Sequence, residues 1–334
     1  MTATVVPLPH QPRFTLIERD LPAGTFGEDV RRGLTAAHKS LPPRWFYDGL
    51  GSALFDAICH LPEYYPTRAE TEILTAHAAE IVHAFGAPAR VLELGSGTAR
   101  KTRILLDALV SGRNPLHYVP VDVDAGMLTR SGYDLVNEYP TLQVTAIAAD
   151  FSRPAVVIEA VPGAGRTVVL FLGSTIGNLE PEPARELLRD LRRALAPGDA
   201  LFLGADLRKA KEILEPAYDD ALGVTAAFNR NVLLRINREL GGTFDLATFD
   251  HRAIYDPRPG RVEMHLVSTR AQRVRIESLD LEVAFAAGES IHTESSYKYD
   301  EATLDALAQD CGFRRTNLWT DAQHRFADVL LIAQ

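Results

Sequence analysis

Val91-Leu92-Glu93-Leu94-Gly95-Ser96-Gly97-Thr98 joins a short hydrophobic strand to a helix that starts near Thr98, through two glycines one residue apart. Glycine lets the backbone turn tightly and lets a ligand approach without a Cβ in the way. A lone Gly-x-Gly also serves ordinary strand-to-helix turns, so the surrounding residues must decide. Glu93 places a carboxylate near the end of the strand, which is costly without a partner. The third glycine of the dinucleotide fingerprint is missing, with Arg100 in its place, and no Walker Gly-Lys-Ser or Gly-Lys-Thr occurs. The next strand ends in Val121-Asp122, about 27 residues beyond Gly95, an acid placed for a ribose diol. A third strand ends in Ala149-Asp150-Phe151, an acid able to accept from an adenine amine beside a ring able to cover the base. Each acid alone reads equally well as a helix cap or turn residue. Together, three acids and two glycines at successive strand ends favour S-adenosylmethionine as the cofactor over NAD or ATP.

Outward from this turn, short apolar runs alternate with amphipathic segments. The runs are Arg90–Leu94, Tyr118–Val121, Val144–Ala148, Val168–Leu172 and Ala200–Gly204. Helical patterns lie at Ala99–Val110, Ala125–Asn137 and Glu182–Leu195. This alternation predicts a parallel α/β sheet covered on both faces. Before it, Gly27 to Phe85 reads as helical with breaks at prolines, preceded by an extended or loosely ordered arm. After Asp206 the alternation stops. One long helical pattern covers Lys209–Glu239, followed by strand-like runs at Val262–Thr269 and Leu279–Phe285. A helix (Glu301–Cys311) and two further runs (Arg315–Trp319 and Ala327–Ala333) close the chain. The expected organisation is a cofactor domain of residues 69–206 plus 299–334, interrupted by an insertion. Residues 1–68 plus 207–298 would form an α+β substrate-binding domain, with the site between the two.

The bulk properties exclude several classes. The 334 residues, 46% hydrophobic and 24% charged, are ordinary globular composition, and no apolar stretch approaches the length of a membrane span. A formal net charge of -9 argues against nucleic acid, and the N-terminus lacks the pattern of a secretory signal. Cys59 and Cys311 sit in no motif and read as small buried hydrophobes in a reducing cytoplasm. No metal is expected, since no CxxC or HExxH spacing occurs.

Longer strings go beyond fold class. They include Lys39-Ser40-Leu41-Pro42-Pro43, Trp45-Phe46-Tyr47-Asp48 and Leu61-Pro62-Glu63-Tyr64-Tyr65-Pro66-Thr67-Arg68. Others are Phe171-Leu172-Gly173-Ser174-Thr175-Ile176-Gly177-Asn178, Tyr218-Asp219-Asp220, and the run from Gly223 to Asn231. From about Gly27 to the C-terminus the chain resembles the histidine Nα-methyltransferases of ergothioneine biosynthesis. The resemblance implies a class I S-adenosylmethionine methyltransferase domain, Rossmann-like, with a second substrate-binding domain. It implies trimethylation of the α-amino group of L-histidine to hercynine, with S-adenosylhomocysteine as co-product.

Carried over residue by residue, the resemblance makes Tyr47 the group nearest the reacting amine. It gives Tyr64, Asn178 and Tyr218 to the amino-acid backbone, Met264 to the border of the side-chain pocket, and Glu294 and Ser296 to the imidazole. Gly95, Lys101, Asp122, Asp150 and Phe151 match on the cofactor side. Ser295 next to Ser296 leaves open which hydroxyl faces the pocket, and His292 receives no role. Singly, most of these residues have plainer readings. Tyr64-Tyr65 could be a packing pair, Asn178 a turn cap, Glu294 an exposed strand residue and Lys101 a solvated helix residue. Other readings are a different amino-acid substrate such as tryptophan, to whose indole an acid at 294 is a poor match, and a non-catalytic module of the same fold. No membrane, nucleic acid or obligatory protein partner is expected.

Overall fold

The computed structural model describes residues 3–6, 11–19, 25–110, 115–161, 163 and 165–334. Strands β1 (Ala3–Val6) and β2 (Phe14–Arg19) precede helices α1 (Phe26–Thr35), α2 (Gly49–Ile58) and α3 (Pro66–Phe85). Strand and helix then alternate through β3 (Arg90–Leu94), α4 (Arg100–Val110), β4 (Leu116–Asp122), α5 (Ala125–Glu138) and β5 (Leu142–Ala148). The alternation continues with α6 (Pro154–Ala160), β6 (Thr167–Phe171), α7 (Pro181–Ala194) and β7 (Ala200–Asp206). Helices α8 (Lys211–Tyr218) and α9 (Val224–Leu240) lead into β8 (Phe249–Asp256), β9 (Arg261–Ser268), β10 (Gln272–Ile276), β11 (Leu281–Phe285) and β12 (Ser290–Tyr297). The chain ends with α10 (Glu301–Asp310), β13 (Phe313–Thr320) and β14 (Phe326–Ala333).

Two compact units result. The first takes the described residues within Met1–Pro22, together with Ala69–Leu207 and Tyr299–Gln334; the second is built from Ala23–Arg68 and Arg208–Lys298. In the first unit the described strands form one sheet in the order β1-β2-β5-β4-β3-β6-β7-β14-β13. The strands from β2 to β7 run parallel, whereas β14 is antiparallel to both β7 and β13. This is the class I S-adenosylmethionine methyltransferase arrangement, a Rossmann-like sheet with a reversed strand near one edge. Every residue of β3, β6 and β7 is buried, as in strands covered on both faces, the charged Arg90, Glu93 and Asp206 included. Strand order reverses at β3, which pairs with β4 on one side and β6 on the other. Ligands of open α/β sheets bind beyond the strand ends at such a switch point, and Gly95 stands there.

One expected boundary is corrected. The sequence places residues 1–68 in the substrate-binding part, but β2 belongs to the first unit and lies parallel to β5, with Phe14 opposite Val144 and Ile17 opposite Ile147. The alternation Phe14-Thr15-Leu16 buries Phe14 and Leu16, and the Phe14 ring packs 5.1 Å from that of Tyr133. The arm is therefore a sheet strand.

The second unit holds a three-stranded antiparallel sheet in the order β12-β9-β8, the β10–β11 hairpin and helices α1, α2, α8 and α9. The single helix expected over Lys209–Glu239 is two. Asp220 breaks it, its carboxylate accepting from the backbone N–H groups of Val224 at 3.0 Å and Thr225 at 2.7 Å. Those bonds satisfy amides that open α9 and have no intrahelical partner. Tyr218 consequently ends a helix instead of lying within one. Among the described residues no helix is long and apolar enough to cross a membrane.

Candidate active site

In the second unit the aromatic residues of α2, α9 and the adjoining loops form a continuous series. Tyr47 caps the 3-10 turn Pro43–Phe46, and its ring meets Phe55 and Phe228, each at 5.6 Å. Phe55 meets Tyr64 at 6.1 Å, and Tyr64 meets Tyr218 at 6.3 Å, both edge-on. Burial, then the neighbouring Tyr218, Cys59, Tyr47 and Glu294, raises the Tyr64 phenol well above its ordinary value, so it stays protonated. Tyr65 has a different task. Its hydroxyl accepts from Lys209 at 2.7 Å and its ring lies under the same ammonium.

Strand β12 supplies the polar end of the series. Its ladder with β9 slips between His292 and Glu294, so that His292 opposes His265 while Glu294 opposes Met264. Thr293 is the extra residue, a β-bulge that re-aims the side chains after it. As a result Glu294 and Ser296 share the buried face of Met264 and Val262, whereas Ser295 turns to His292, 3.1 Å away. Of the two candidate serines, Ser296 is the one beside Tyr218, with 2.8 Å between their oxygens. Lys298, two residues on, donates to the Tyr218 hydroxyl at 2.7 Å and to Ser296 Oγ at 2.8 Å. Glu294 is only 7% exposed and accepts no hydrogen bond from the described residues. Burial raises its carboxyl to about 7, against the opposing pull of Lys298.

The first unit holds the other expected residues, Asn178 among them, at the end of the 3-10 turn Thr175–Asn178 that comes after β6. Gly95 and Gly97 have φ of 70° and 52°, a conformation only glycine adopts without strain. A Cβ on Gly95 would come 3.4 Å from the Phe151 ring, whereas the space over Gly97 is open to 4 Å. Asp122 accepts the Gly97 N–H at 2.9 Å and the Asp124 N–H at 3.3 Å. It both shapes the turn and presents its carboxylate at the switch point. Burial raises its carboxyl despite these amides. Asp150 accepts the Ser152 N–H at 2.7 Å, and Phe151 packs edge-on against Phe171 at 5.8 Å. An open-topped glycine turn flanked by two strand-end acids and a ring suits a nucleoside with a ribose diol and a flat base. Among the described residues no group of three His, Cys, Asp or Glu could hold a metal.

Over residues 26–333 the chain matches a family described as histidine-specific, S-adenosylmethionine-dependent methyltransferases. The chain belongs to this family. The methyltransferase is 51% identical over 313 residues to a histidine N-alpha-methyltransferase of Mycolicibacterium smegmatis, spanning 94% of this chain and 96% of that one. It is 48% identical over 293 residues to a protein of the same description from Mycobacterium tuberculosis, spanning 88% and 90% of the two chains. Similarity extends at 29% identity over 287 residues to ergothioneine biosynthesis protein 1 of Neurospora crassa, covering 84% of this chain but 32% of that larger protein.

Two groups of the methyltransferase escaped sequence reasoning. Lys298 carries no motif signal, and only its even spacing from Glu294 and Ser296, just past the end of β12, could have exposed it. Glu70 is fully buried on α3 and ion-pairs with Lys101, which is thereby turned inward and is no solvated helix residue. Its other oxygen accepts the Gly173 N–H at 2.7 Å, tying the start of α4 to the loop that carries Asn178. Burial opposes the charge on Lys101, but the adjacent Glu70 outweighs it and raises the ammonium.

Glu93 proves to be an internal clamp. It accepts from Thr102 at 2.7 Å and from the Tyr118 hydroxyl, fastening the glycine turn to α4 and β4. Burial raises its carboxyl from 4.5 to about 7, although those bonds and Lys101 pull it down. Between these two pH values the folded chain keeps a proton that the unfolded chain has lost, so stability falls as pH rises. From about pH 5 to about pH 8 the wild type is expected to lose about 3 kcal/mol relative to Glu93→Gln in urea unfolding. Parallel stability curves for the two proteins would show that Glu93 is charged throughout.

Proposed function

We propose that this methyltransferase transfers three methyl groups in succession to the α-amino nitrogen of L-histidine, giving hercynine for ergothioneine biosynthesis. The observation that carries the substrate is Glu294, a buried carboxylate with no hydrogen bond from the described residues, set beside Met264 and Ser296. Such a group calls for an N–H from its ligand, since a buried acceptor left unpaired costs about 1–3 kcal/mol. An imidazole supplies that N–H and a second nitrogen for Ser296; an indole supplies only the first. The α-amino position is supported by the descriptions of the mycobacterial relatives.

S-adenosylmethionine, when bound, supplies an electrophilic methyl group on a sulfonium. Gly95, Asp122, Asp150 and Phe151 would hold it, with Lys101 fixed at the base of the same turn by Glu70. The remaining work is orientation and the removal of protons. Each transfer forms an N–C bond and breaks an S–C bond, and the first two products must lose a proton before nitrogen can react again. The quaternary third product has none to lose. Tyr64, held as the neutral phenol by burial, can donate to the α-carboxylate but cannot serve as a phenolate base. Tyr218 adds an uncharged donor for the same carboxylate. Tyr47 is the group proposed nearest the amine, its ring fixed by Phe55 and Phe228 and its hydroxyl able to take either hydrogen-bond role. Fixing the amine in line with the methyl carbon in this way supplies much of the rate in a direct displacement. An enzyme that uses free histidine and S-adenosylmethionine belongs in the cytoplasm, where Cys59 and Cys311 stay as thiols.

Incubation with L-histidine and S-adenosylmethionine is expected to give mono-, di- and trimethylated histidine by mass spectrometry. Fragmentation should place every added methyl on the α-nitrogen. Methylation confined to the ring, or none at all, would sink the proposal.

A further inference from the structure

Tyr218 is the last residue of α8, and the final carbonyls of a helix have no intrahelical partner. The Tyr218 carbonyl oxygen is met at 2.7 Å by Nε2 of His251 on β8, a side chain only 1% exposed. A carbonyl oxygen only accepts, so Nε2 carries a hydrogen. The other ring nitrogen is fixed as well. Asn229 Nδ2, on α9, lies 2.9 Å from His251 Nδ1 and 3.2 Å from the His265 carbonyl oxygen. Turning that amide over would set its oxygen against the His265 carbonyl, so its nitrogen stays in place. A donor facing Nδ1 requires Nδ1 to be bare, and the ring is therefore neutral with its hydrogen on Nε2. Burial lowers the imidazole below its ordinary value in agreement, with Arg230 on the same side and the Tyr218 carbonyl, Asp219 and Asp220 opposing. Asp219 Oδ1, 3.8 Å from Nε2, is too far to displace the carbonyl.

These bonds join several elements of the second unit. Asn229 ties α9 to His265 on β9, His251 ties β8 to the end of α8, and β9 carries Met264 opposite Glu294. The backbone of Tyr218 is thereby held to the same sheet that carries Glu294, while its hydroxyl meets Ser296. We propose that His251 is a positioning residue for L-histidine: by donating its Nε2 hydrogen to the Tyr218 carbonyl, it fixes the span between the phenol that meets the α-carboxylate and the carboxylate that meets the imidazole. The inference rests on the histidine reading above, in which Tyr218 binds substrate, and deepens it.

A double-mutant cycle tests it. His251→Leu is expected to raise KM for histidine about tenfold, about the effect of one lost hydrogen bond. Its kcat should change by about threefold or less, and calorimetry should show an unchanged affinity for S-adenosylmethionine. His251→Gln, whose side-chain amide can donate in the place of Nε2, should recover most of the loss. Tyr218→Phe should also raise KM about tenfold. Adding His251→Leu to it should cost about threefold or less again, because the hydroxyl that His251 places is already gone. Effects of the two substitutions that multiply in full would overturn the inference and make His251 a scaffold residue. So would a loss that His251→Gln does not recover. Tyr218→Phe with the wild-type KM would instead overturn the placement of Tyr218 on the substrate. Nitrogen NMR of the wild-type protein, carrying isotopically labelled histidine, supplies a check that needs no variant. His251 should show its hydrogen on Nε2 and a bare Nδ1 at neutral pH, and a hydrogen on Nδ1 would overturn the inference.

Discussion

Glu294→Ala is expected to lower kcat/KM for histidine about a hundredfold while leaving the affinity for S-adenosylmethionine unchanged within about twofold. The carboxylate is buried, faces Met264 across the β12–β9 ladder and has no hydrogen bond from the described residues. In the proposed complex its removal would leave the imidazole N–H without an acceptor. Hydrogen bonds to charged groups contribute about 1.5–3 kcal/mol, and each 1.4 kcal/mol is about a factor of ten. Glu294→Gln separates charge from acceptor. It keeps an oxygen for the ring and should cost about tenfold. Because burial raises the carboxyl to about 7, the advantage of wild type over Glu294→Gln should grow as pH rises through that value, where the carboxylate forms. Calorimetry with S-adenosylmethionine separates the outcomes. Equal losses of histidine use and cofactor affinity would show that Glu294 supports the fold and does not meet the substrate.

Gly51→Ala should be more damaging to the protein as a whole, by about 3 kcal/mol or more in urea unfolding, with turnover lost in parallel. An added Cβ would lie 1.7 Å from the Phe46 carbonyl oxygen and 2.9 Å from its carbon, both backbone atoms that no rotamer change can move away. The close approach is part of a small locked assembly. Asp48 Oδ1 accepts from the Gly51 N–H and from Asn231 Nδ2, each at 2.8 Å, and Oδ2 accepts from Arg238 at 2.7 Å. Burial works against the Asp48 charge, but these donors hold its carboxyl below the usual range. Tyr47 lies between Phe46 and Asp48, so displacing the carbonyl displaces the phenol proposed nearest the amine. A variant with wild-type unfolding midpoint and turnover would show that α2 shifts without strain. Loss of turnover at an unchanged midpoint would place the effect in Tyr47 alone.

The parts of the fold legible in the sequence were those where neighbours are interchangeable. A strand such as β6, apolar on both faces, announces itself whatever packs on it. The helices between such strands show an apolar stripe for the same reason. Strand β12, Ser290–Tyr297, has no such stripe, since it buries Glu294 and Ser296, and Ser296 finds its partners in Tyr218, distant in sequence, and Lys298, just past the strand end. Strand β8 fully buries only Phe249 and Ala253, and β2 draws its burial from pairing with β5. The break between α8 and α9 depends on where the Asp220 side chain folds back, which periodicity does not register. The site divides in the same way. Whole strings pointed to Tyr64, Asn178 and Tyr218, but the purpose of Lys298 and Glu70 lies wholly in their partners.

The bulge at Thr293 gives strand pairing a meaning here that residue identity lacks. Side chains of a strand alternate strictly, so parity decides which of them look inward. Ile291 and Glu294 share a face although three positions separate them, because Thr293 resets the count. A homologue one residue shorter at this point would lose the bulge and still present Glu294 and Ser296, whereas one of the same length that paired without the bulge would set Thr293 and Ser295 opposite Met264 and Val262 in their place. Its alignment would score as near-perfect and its selectivity would differ entirely. At this strand, kinship in substrate choice is to be judged by phase as well as by letters.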